Sequence, residues 1–221
     1  MSRPPLAPAL TIAVLGAEST GKTQLCEQLA ERLRARGHRV AMVPELLRAW
    51  CERAGRTPRP EEQLPIAREQ EAAVDAAAQE ADIVVADTSA LMVALYSGML
   101  FKDGELVRFA AQRQRRYGLT LLTGLDLPWV PDGLHRAGPE VRADVDRQLR
   151  EQLGRAGVDW RMVYGRGEAR TRHALESVAD AAPWAWSPEP PPVARWQGAC
   201  EACADPECEH RLFTGLIRAT Q

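Results

Sequence analysis

The sequence predicts an α/β fold: a doubly wound parallel sheet of about five strands, helices on both faces, and a short Cys/His-rich tail behind it. Three observations predict it. Short apolar runs rich in β-branched residues alternate with longer stretches whose apolar residues recur every three or four positions. That alternation implies strands joined by helical crossovers, and hence a parallel sheet. The first apolar run leads directly into a glycine-bounded loop, GAESTGKT, and then into a helical pattern. Finally, 221 residues with 45% hydrophobic and 26% charged content are enough for one sizeable core.

Leu10 to Leu15 (LTIAVL) reads as a short buried strand. The following helix spans roughly 23–36, with Leu25, Cys26, Leu29, Ala30 and Leu33 on one face, and Gly37 stops it. Residues 38–43 form the second strand, broken by Pro44, and Leu46, Leu47 and Trp50 mark a helix. After a Gly/Pro loop at 53–60, an alanine- and glutamate-rich helix runs to Ala81, with Pro65 in its first turns, where proline is tolerated. Ile83 to Ala86 is too short for a helix and reads as a buried strand. Helices follow at 89–97 and 105–117, a fourth strand at 119–123, a helix at 139–156, a fifth strand at 160–164 and a last helix at 168–181. Cys26 and Cys51 fall in helices and read as small buried apolar groups. The expected organisation is a main domain over 1–182, a Pro/Trp-rich linker over 183–197 and a Cys/His-rich tail over 198–221. Trp184, Trp186 and Trp196 are expected to anchor the linker and tail.

The net charge of −2 offers no basic field for nucleic acid or an anionic membrane. The one basic run, Gln112 to Arg116, reads as a helix face. No apolar run reaches the roughly 18 residues that cross a bilayer. The proline-broken start MSRPPLAPAL has no separate apolar segment or cleavage site, so a cytoplasmic protein is expected.

GAESTGKT, between strand and helix, is the P-loop pattern GxxxxGK[ST]. Gly16 and Gly21 allow torsions that a side chain forbids. Gly16, Ala17, Glu18, Ser19, Thr20, Gly21, Lys22 and Thr23 can then turn successive N–H groups toward a phosphate at a helix N-terminus. Lys22 is expected to reach the β- and γ-phosphates of ATP, and the Thr23 hydroxyl to ligate Mg²⁺. Asp87 ends the third strand and is the expected Mg²⁺-organising acid; the alternative is a helix cap shared with Thr88 and Ser89.

Glu45 follows the second strand, where it could face the acceptor or the metal, with Arg48 one turn on. The alternative is an acid favoured at a solvated helix N-terminus. The loop after the fourth strand, LDLPWVPDGLHRAG, holds Trp129, Asp132 and Arg136. Arg136 could close over the phosphates, Trp129 stack on a base and Asp132 hold a sugar hydroxyl; the alternative buries Trp129 and leaves Arg136 exposed. In the tail, C-x2-C-x4-C-x-H supplies Cys200, Cys203, Cys208 and His210. Four such ligands suit tetrahedral Zn²⁺, against the alternative of helical cysteines or a redox-labile pair.

Taken together, GAESTGKT, VPE ending at Glu45 with Arg48, VVADT at 84–88 and PWVPDGL at 128–134 resemble the NadR-type ATPase/kinase family, specifically its ribosylnicotinamide kinase module, over roughly residues 10–180. The resemblance is expected to cover at most the kinase module, without the adenylyltransferase half or the helix-turn-helix of the longer members. The resemblance implies ATP- and Mg²⁺-dependent phosphorylation of nicotinamide riboside. It places Lys22, Thr23 and Asp87 at nucleotide and metal, and Glu45, Arg48, Trp129 and Asp132 at the acceptor, with Trp129 on the nicotinamide ring and Arg136 in a lid. Two positions differ from the family: Ser89 stands where an acid is usual after Asp87-Thr88, and His135 precedes Arg136 where arginine directly follows DGL. Catalysis is expected from Lys22, Glu45, Asp87 and Arg136, Glu45 or Asp87 taking the hydroxyl proton. The rival expectations are a kinase for a different nucleoside, and an ATPase-like switch acting on a protein partner through the cysteine tail.

Overall fold

A computed structural model describes residues 8–100, 104–130 and 139–186, with backbone only at 98–100 and 139–140. Five strands, β1 (Leu10–Leu15), β2 (Val40–Val43), β3 (Ile83–Asp87), β4 (Leu119–Thr123) and β5 (Arg161–Val163), form one sheet in the order β2-β3-β1-β4-β5. Every pairing is parallel. The helices are α1 (Lys22–Ala35), α2 (Leu46–Ala54), α3 (Pro60–Glu80), α4 (Ala90–Leu100), α5 (Gly104–Gln114), α6 (Pro139–Ala156) and α7 (Gly167–Ala181). All five expected strands are present, with ends shifted by no more than two residues.

The pleat divides the core between the two faces. Ile12 and Val14 of β1 pack with Leu25, Leu29, Leu33 of α1 and Leu175 and Val178 of α7. Ala13 and Leu15, one step out of phase, pack with Leu91, Leu106 and Leu149 on the other face. Strands covered on both sides read as mainly apolar runs, and the fully buried IVVAD and LTLLT do, their polar members Asp87, Thr120 and Thr123 being hydrogen-bonded.

The basic run at 112–116 is structural. Arg113 reaches Glu71 at 3.1 Å and Asp75 at 2.6 Å, while Gln114 is buried. Cys26 is fully buried and Cys51 half-buried. Burial pushes the Cys26 thiol well above its ordinary value, and the nearby Asp87 adds to it.

The chain divides after Ser187. Ala185 is buried at the end of the first unit, Trp186 packs against the core beneath the Arg36 guanidinium at 4.3 Å, and Trp184 is exposed with its edge to His38. Trp196 and the second unit, Pro188–Gln221, lie outside the described residues. Among the described residues no helix is long and apolar enough to cross a membrane.

Candidate active site

The strand order sets four strand ends side by side. Glu45 leaves β2, Asp87 ends β3, the P-loop leaves β1, and Leu125–Val130 leaves β4. In open α/β sheets this carboxyl edge is where ligands bind.

The P-loop is held from β4. Thr123 Oγ1 donates to the Leu15 carbonyl at 3.0 Å and lies 2.7 Å from Thr20 Oγ1, which bonds the Ala17 carbonyl at 2.8 Å. A Cβ on Gly16, at φ +150, would stand 2.0 Å from Thr123 Oγ1, so only glycine fits there. Gly21 takes φ +71 and caps α1. The helix therefore begins at Lys22, one residue before the sequence expectation. Lys22 Nζ donates to the Gly16 and Ala17 carbonyls, both at 2.9 Å, which holds the ammonium over the loop. Ser19 adopts φ 54, and its hydroxyl donates to the Val130 carbonyl at 2.8 Å, tying the P-loop to the segment after β4.

Thr23 Oγ1 donates to Asp87 Oδ2 at 2.5 Å. Asp87 is 3% exposed, and its Oδ1 has no hydrogen-bond partner among the described residues. A hydroxyl and a carboxylate at the mouth of a phosphate loop, with one carboxylate oxygen uncommitted, suit Mg²⁺, which takes oxygen ligands and keeps several waters. Thr23 and Asp87 would hold it, and bound there it would neutralise charge on the phosphates.

Behind Asp87 the backbone is constrained. Thr88 has φ 82, uncommon for a β-branched residue, and its buried Oγ1 has no partner among the described residues. Ser89 is fully buried. Its hydroxyl donates to Gln114 Oε1 at 2.6 Å and accepts from the Leu91 amide, and Gln114 Nε2 donates to Thr120 Oγ1 at 2.9 Å. Buried Glu71 accepts from the Ala90 amide at 2.8 Å. Where an acid is usual in the family resembled, the chain turns at Thr88 and Ser89 enters a polar network inside the core. Ser89→Ala leaves Gln114 Oε1 without its donor, so it is expected to lower stability by about 1–3 kcal/mol and leave the acceptor KM near wild type. Ser89→Asp, which buries a carboxylate against an amide oxygen, is expected to be worse. Thermal unfolding with steady-state kinetics checks both; a Ser89→Asp enzyme with faster turnover would restore the position to the pocket.

Glu45 sits at the N-terminus of α2 and pairs with Arg48 at 3.4 Å. Gln70 on α3 holds its flanks: the Leu46 amide donates to Gln70 Oε1 at 2.9 Å, and Gln70 Nε2 donates to the Pro44 carbonyl at 3.2 Å. Because Val43 pairs with Ala86, Glu45 emerges beside the tip that carries Asp87. Trp129 is half-buried, and its indole nitrogen is buried with no partner among the described residues. Asp132 and Arg136 lie outside the described residues, as do Cys200, Cys203, Cys208 and His210. Among the described residues no cluster of three or more His, Cys, Asp or Glu could hold a metal.

Three charged residues missed in the sequence border the same loop. Arg170 of α7 is 4% exposed; it donates to the Thr20 carbonyl at 2.7 Å, to Asp126 Oδ1 at 3.1 Å and to the Gly165 carbonyl at 3.0 Å. Burial raises the Asp126 carboxyl, but the Gly165 amide and the Arg170 guanidinium outweigh that and hold it below its ordinary value. Arg142 of α6 is 6% exposed and donates to the Leu127 carbonyl at 2.8 Å. On a helix of four arginines and four acids, sequence patterning cannot single out the buried one.

A model of the AAA domain family matches residues 11–170 of the sequence. The chain belongs to that family. No curated protein matches it. Among solved structures, this AAA domain is similar to NadR in complex with NR, with a TM-score of 0.67 and 19% identity over 82% of this chain and 53% of NadR. NadR in complex with NAD and AMP-PNP gives a TM-score of 0.64 at 19% identity, over 82% and 51% of the two chains. A thymidylate kinase from Ehrlichia chaffeensis gives 0.57 at 14% identity, over 79% and 99%. The AAA domain spans about half the length of the NadR chains. At these identities the likeness is one of fold: a P-loop, kinase-like α/β sheet.

Proposed function

We propose that this AAA domain is a phosphotransferase that moves the γ-phosphate of ATP, with Mg²⁺, to a hydroxyl of a riboside, either nicotinamide riboside or a related nucleoside. The observation that carries this reading is the 2.5 Å contact between Thr23 and Asp87 at the mouth of a formed P-loop, with Glu45 on the adjoining strand end. In the reaction the acceptor oxygen bonds to the γ-phosphorus, the bond from that phosphorus to the β–γ bridging oxygen breaks, and ADP leaves. The hydroxyl proton passes to Glu45 or Asp87. Lys22 and the loop amides hold the phosphates, and little covalent chemistry is asked of the protein beyond position and charge.

On the acceptor side we assign Arg48 and Trp129 to binding, Asp132 to a sugar hydroxyl and Arg136 to the transferring group. NadR, which shares the fold, is bound to NR in one of the similar structures, which supports a riboside acceptor. We further assign a structural zinc to Cys200, Cys203, Cys208 and His210 on ligand type and number, and place the chain in the cytoplasm, where thiols stay reduced.

The test incubates the protein with Mg-ATP and a panel of ribosides, nicotinamide riboside included, and follows products by mass. Phosphorylated nicotinamide riboside with stoichiometric ADP is expected. A different phosphorylated riboside would keep the transfer chemistry and change the acceptor. ATP binding with no phosphorylated riboside would overturn the reading.

A further inference from the structure

Gln70 and Glu71 stand side by side on α3, and both are buried, at 1% and 2% exposure. Each directs hydrogen bonds to backbone beside one of the two candidate acids. Gln70 closes a ring around Glu45: its Nε2 donates to the Pro44 carbonyl at 3.2 Å, and its Oε1 accepts from the Leu46 amide at 2.9 Å. Glu71 Oε1 accepts from the Ala90 amide at 2.8 Å, at the start of the helix that follows Asp87. Glu71 is itself fixed by Arg113 at 3.1 Å and by the Tyr117 hydroxyl at 3.3 Å.

What Gln70 does for Glu45 follows from helix capping. The first amides of a helix have no partner inside it, and the N-cap side chain commonly takes one. Glu45 is the N-cap of α2 and makes no such bond. Gln70 reaches in from α3 and takes the Leu46 amide, so a partner for the helix start comes from outside and the Glu45 carboxylate is not used as a cap. The ion pair of Glu45 with Arg48, at 3.4 Å, is longer than a good hydrogen bond. The backbone that carries Glu45 is meanwhile tied on both sides, at φ −70 and ψ 102. Val43 pairs with Ala86, so this backbone stands one strand from the tip that carries Asp87, and the adjoining residue of α3 fixes the turn behind that tip. A single point on α3 thus braces the backbone of both acids.

We propose that Gln70 is a positioning residue for the acceptor: it caps α2 from outside, which leaves the Glu45 carboxylate to the acceptor hydroxyl and sets it against Asp87. The inference rests on the kinase reading proposed above and deepens its acceptor side.

The test compares wild type, Gln70→Met, Glu45→Ala and the double variant, with Mg-ATP and the panel riboside that wild type phosphorylates fastest. Gln70→Met keeps the length of the side chain and removes both bonds without changing charge. Its kcat/KM for the riboside is expected to fall on the order of 10–100-fold, the scale set by a misplacement of about 1 Å at a reacting group. Its ATP affinity by calorimetry, without riboside, should stay within twofold of wild type, since the Gln70 bonds go to Pro44 and Leu46 and not to the P-loop. In the Glu45→Ala background the same substitution should cost less than a further twofold, because Gln70 acts through Glu45. A riboside kcat/KM within twofold of wild type, with only Tm lowered, would make Gln70 purely structural and overturn the proposal. Equal losses in ATP affinity and riboside kcat/KM, or the full loss again in the Glu45→Ala background, would do the same. If Gln70→Met does not fold, Gln70→Glu, which keeps an oxygen for the Leu46 amide at the positive end of α2 and loses the donor to Pro44, carries the same comparison. A wild type that phosphorylates no riboside would sink the kinase reading and this assignment together, whereas an active wild type matched by Gln70→Met would sink the assignment alone.

Discussion

Lys22→Ala is expected to leave a folded protein with at least a 10²–10³-fold loss of phosphoryl transfer, the scale set by removing one pre-organised donor from a developing charge. The fold should survive because Lys22 is in none of the core clusters, and its ammonium bonds the loop carbonyls of Gly16 and Ala17. Those two bonds also mean that the ammonium is held over the cradle before nucleotide arrives. Turning from carbonyls to phosphates exchanges neutral acceptors for charged ones and strengthens as charge builds on the transferring group. Circular dichroism and thermal unfolding would check the fold, and kcat/KM for ATP would check the loss. A Lys22→Ala protein that retains a tenth or more of wild-type turnover would mean that the loop is not the transfer site.

Asp87→Asn should be the second large effect. Asparagine keeps an oxygen for the Thr23 hydroxyl, so the 2.5 Å contact can persist while the charge is lost. The expected result is a loss of on the order of 10²-fold in kcat that is partly recovered at high Mg²⁺, because the acid's part is to organise the metal that neutralises the phosphates. Titrating activity against Mg²⁺ for both proteins reads this directly. A half-saturating Mg²⁺ that does not move would make Asp87 a helix-capping residue, which was the other reading of the same sequence. The Thr23 contact and the uncommitted Oδ1 favour the metal.

Much of the fold was legible because local chemistry and tertiary role agreed. IVVA and LTLLT are mainly apolar, with no polar-out face, because they end up covered on both faces. GAESTGKT carries its phosphate function in its own backbone, so its neighbours in space need not be known to recognise it. Elsewhere the local reading was incomplete. Ser89 stood out only because the family resembled usually has an acid there, and its place in the core, bonded to Gln114 after the left-handed turn at Thr88, was not visible locally. Arg142 and Arg170 did not stand out from the other arginines of their helices, four in α6 and two in α7, since which arginine is buried depends on what packs over it.

The residues alone were sufficient for the alternation of strands and helices, the phosphate loop and the acid at the end of β3. Each of these is written in short-range periods and in torsions that only certain side chains allow. Tertiary structure was needed for the strand order that sets Glu45, Asp87, the P-loop and the β4 loop in one row, for the Thr123 hydroxyl that makes Gly16 obligatory, and for the buried arginines around the loop. Those contacts join groups more than a hundred residues apart in the case of Thr123 and Thr20, and no local pattern encodes which distant side chain will arrive. Burial and pairing are properties of the assembled surfaces.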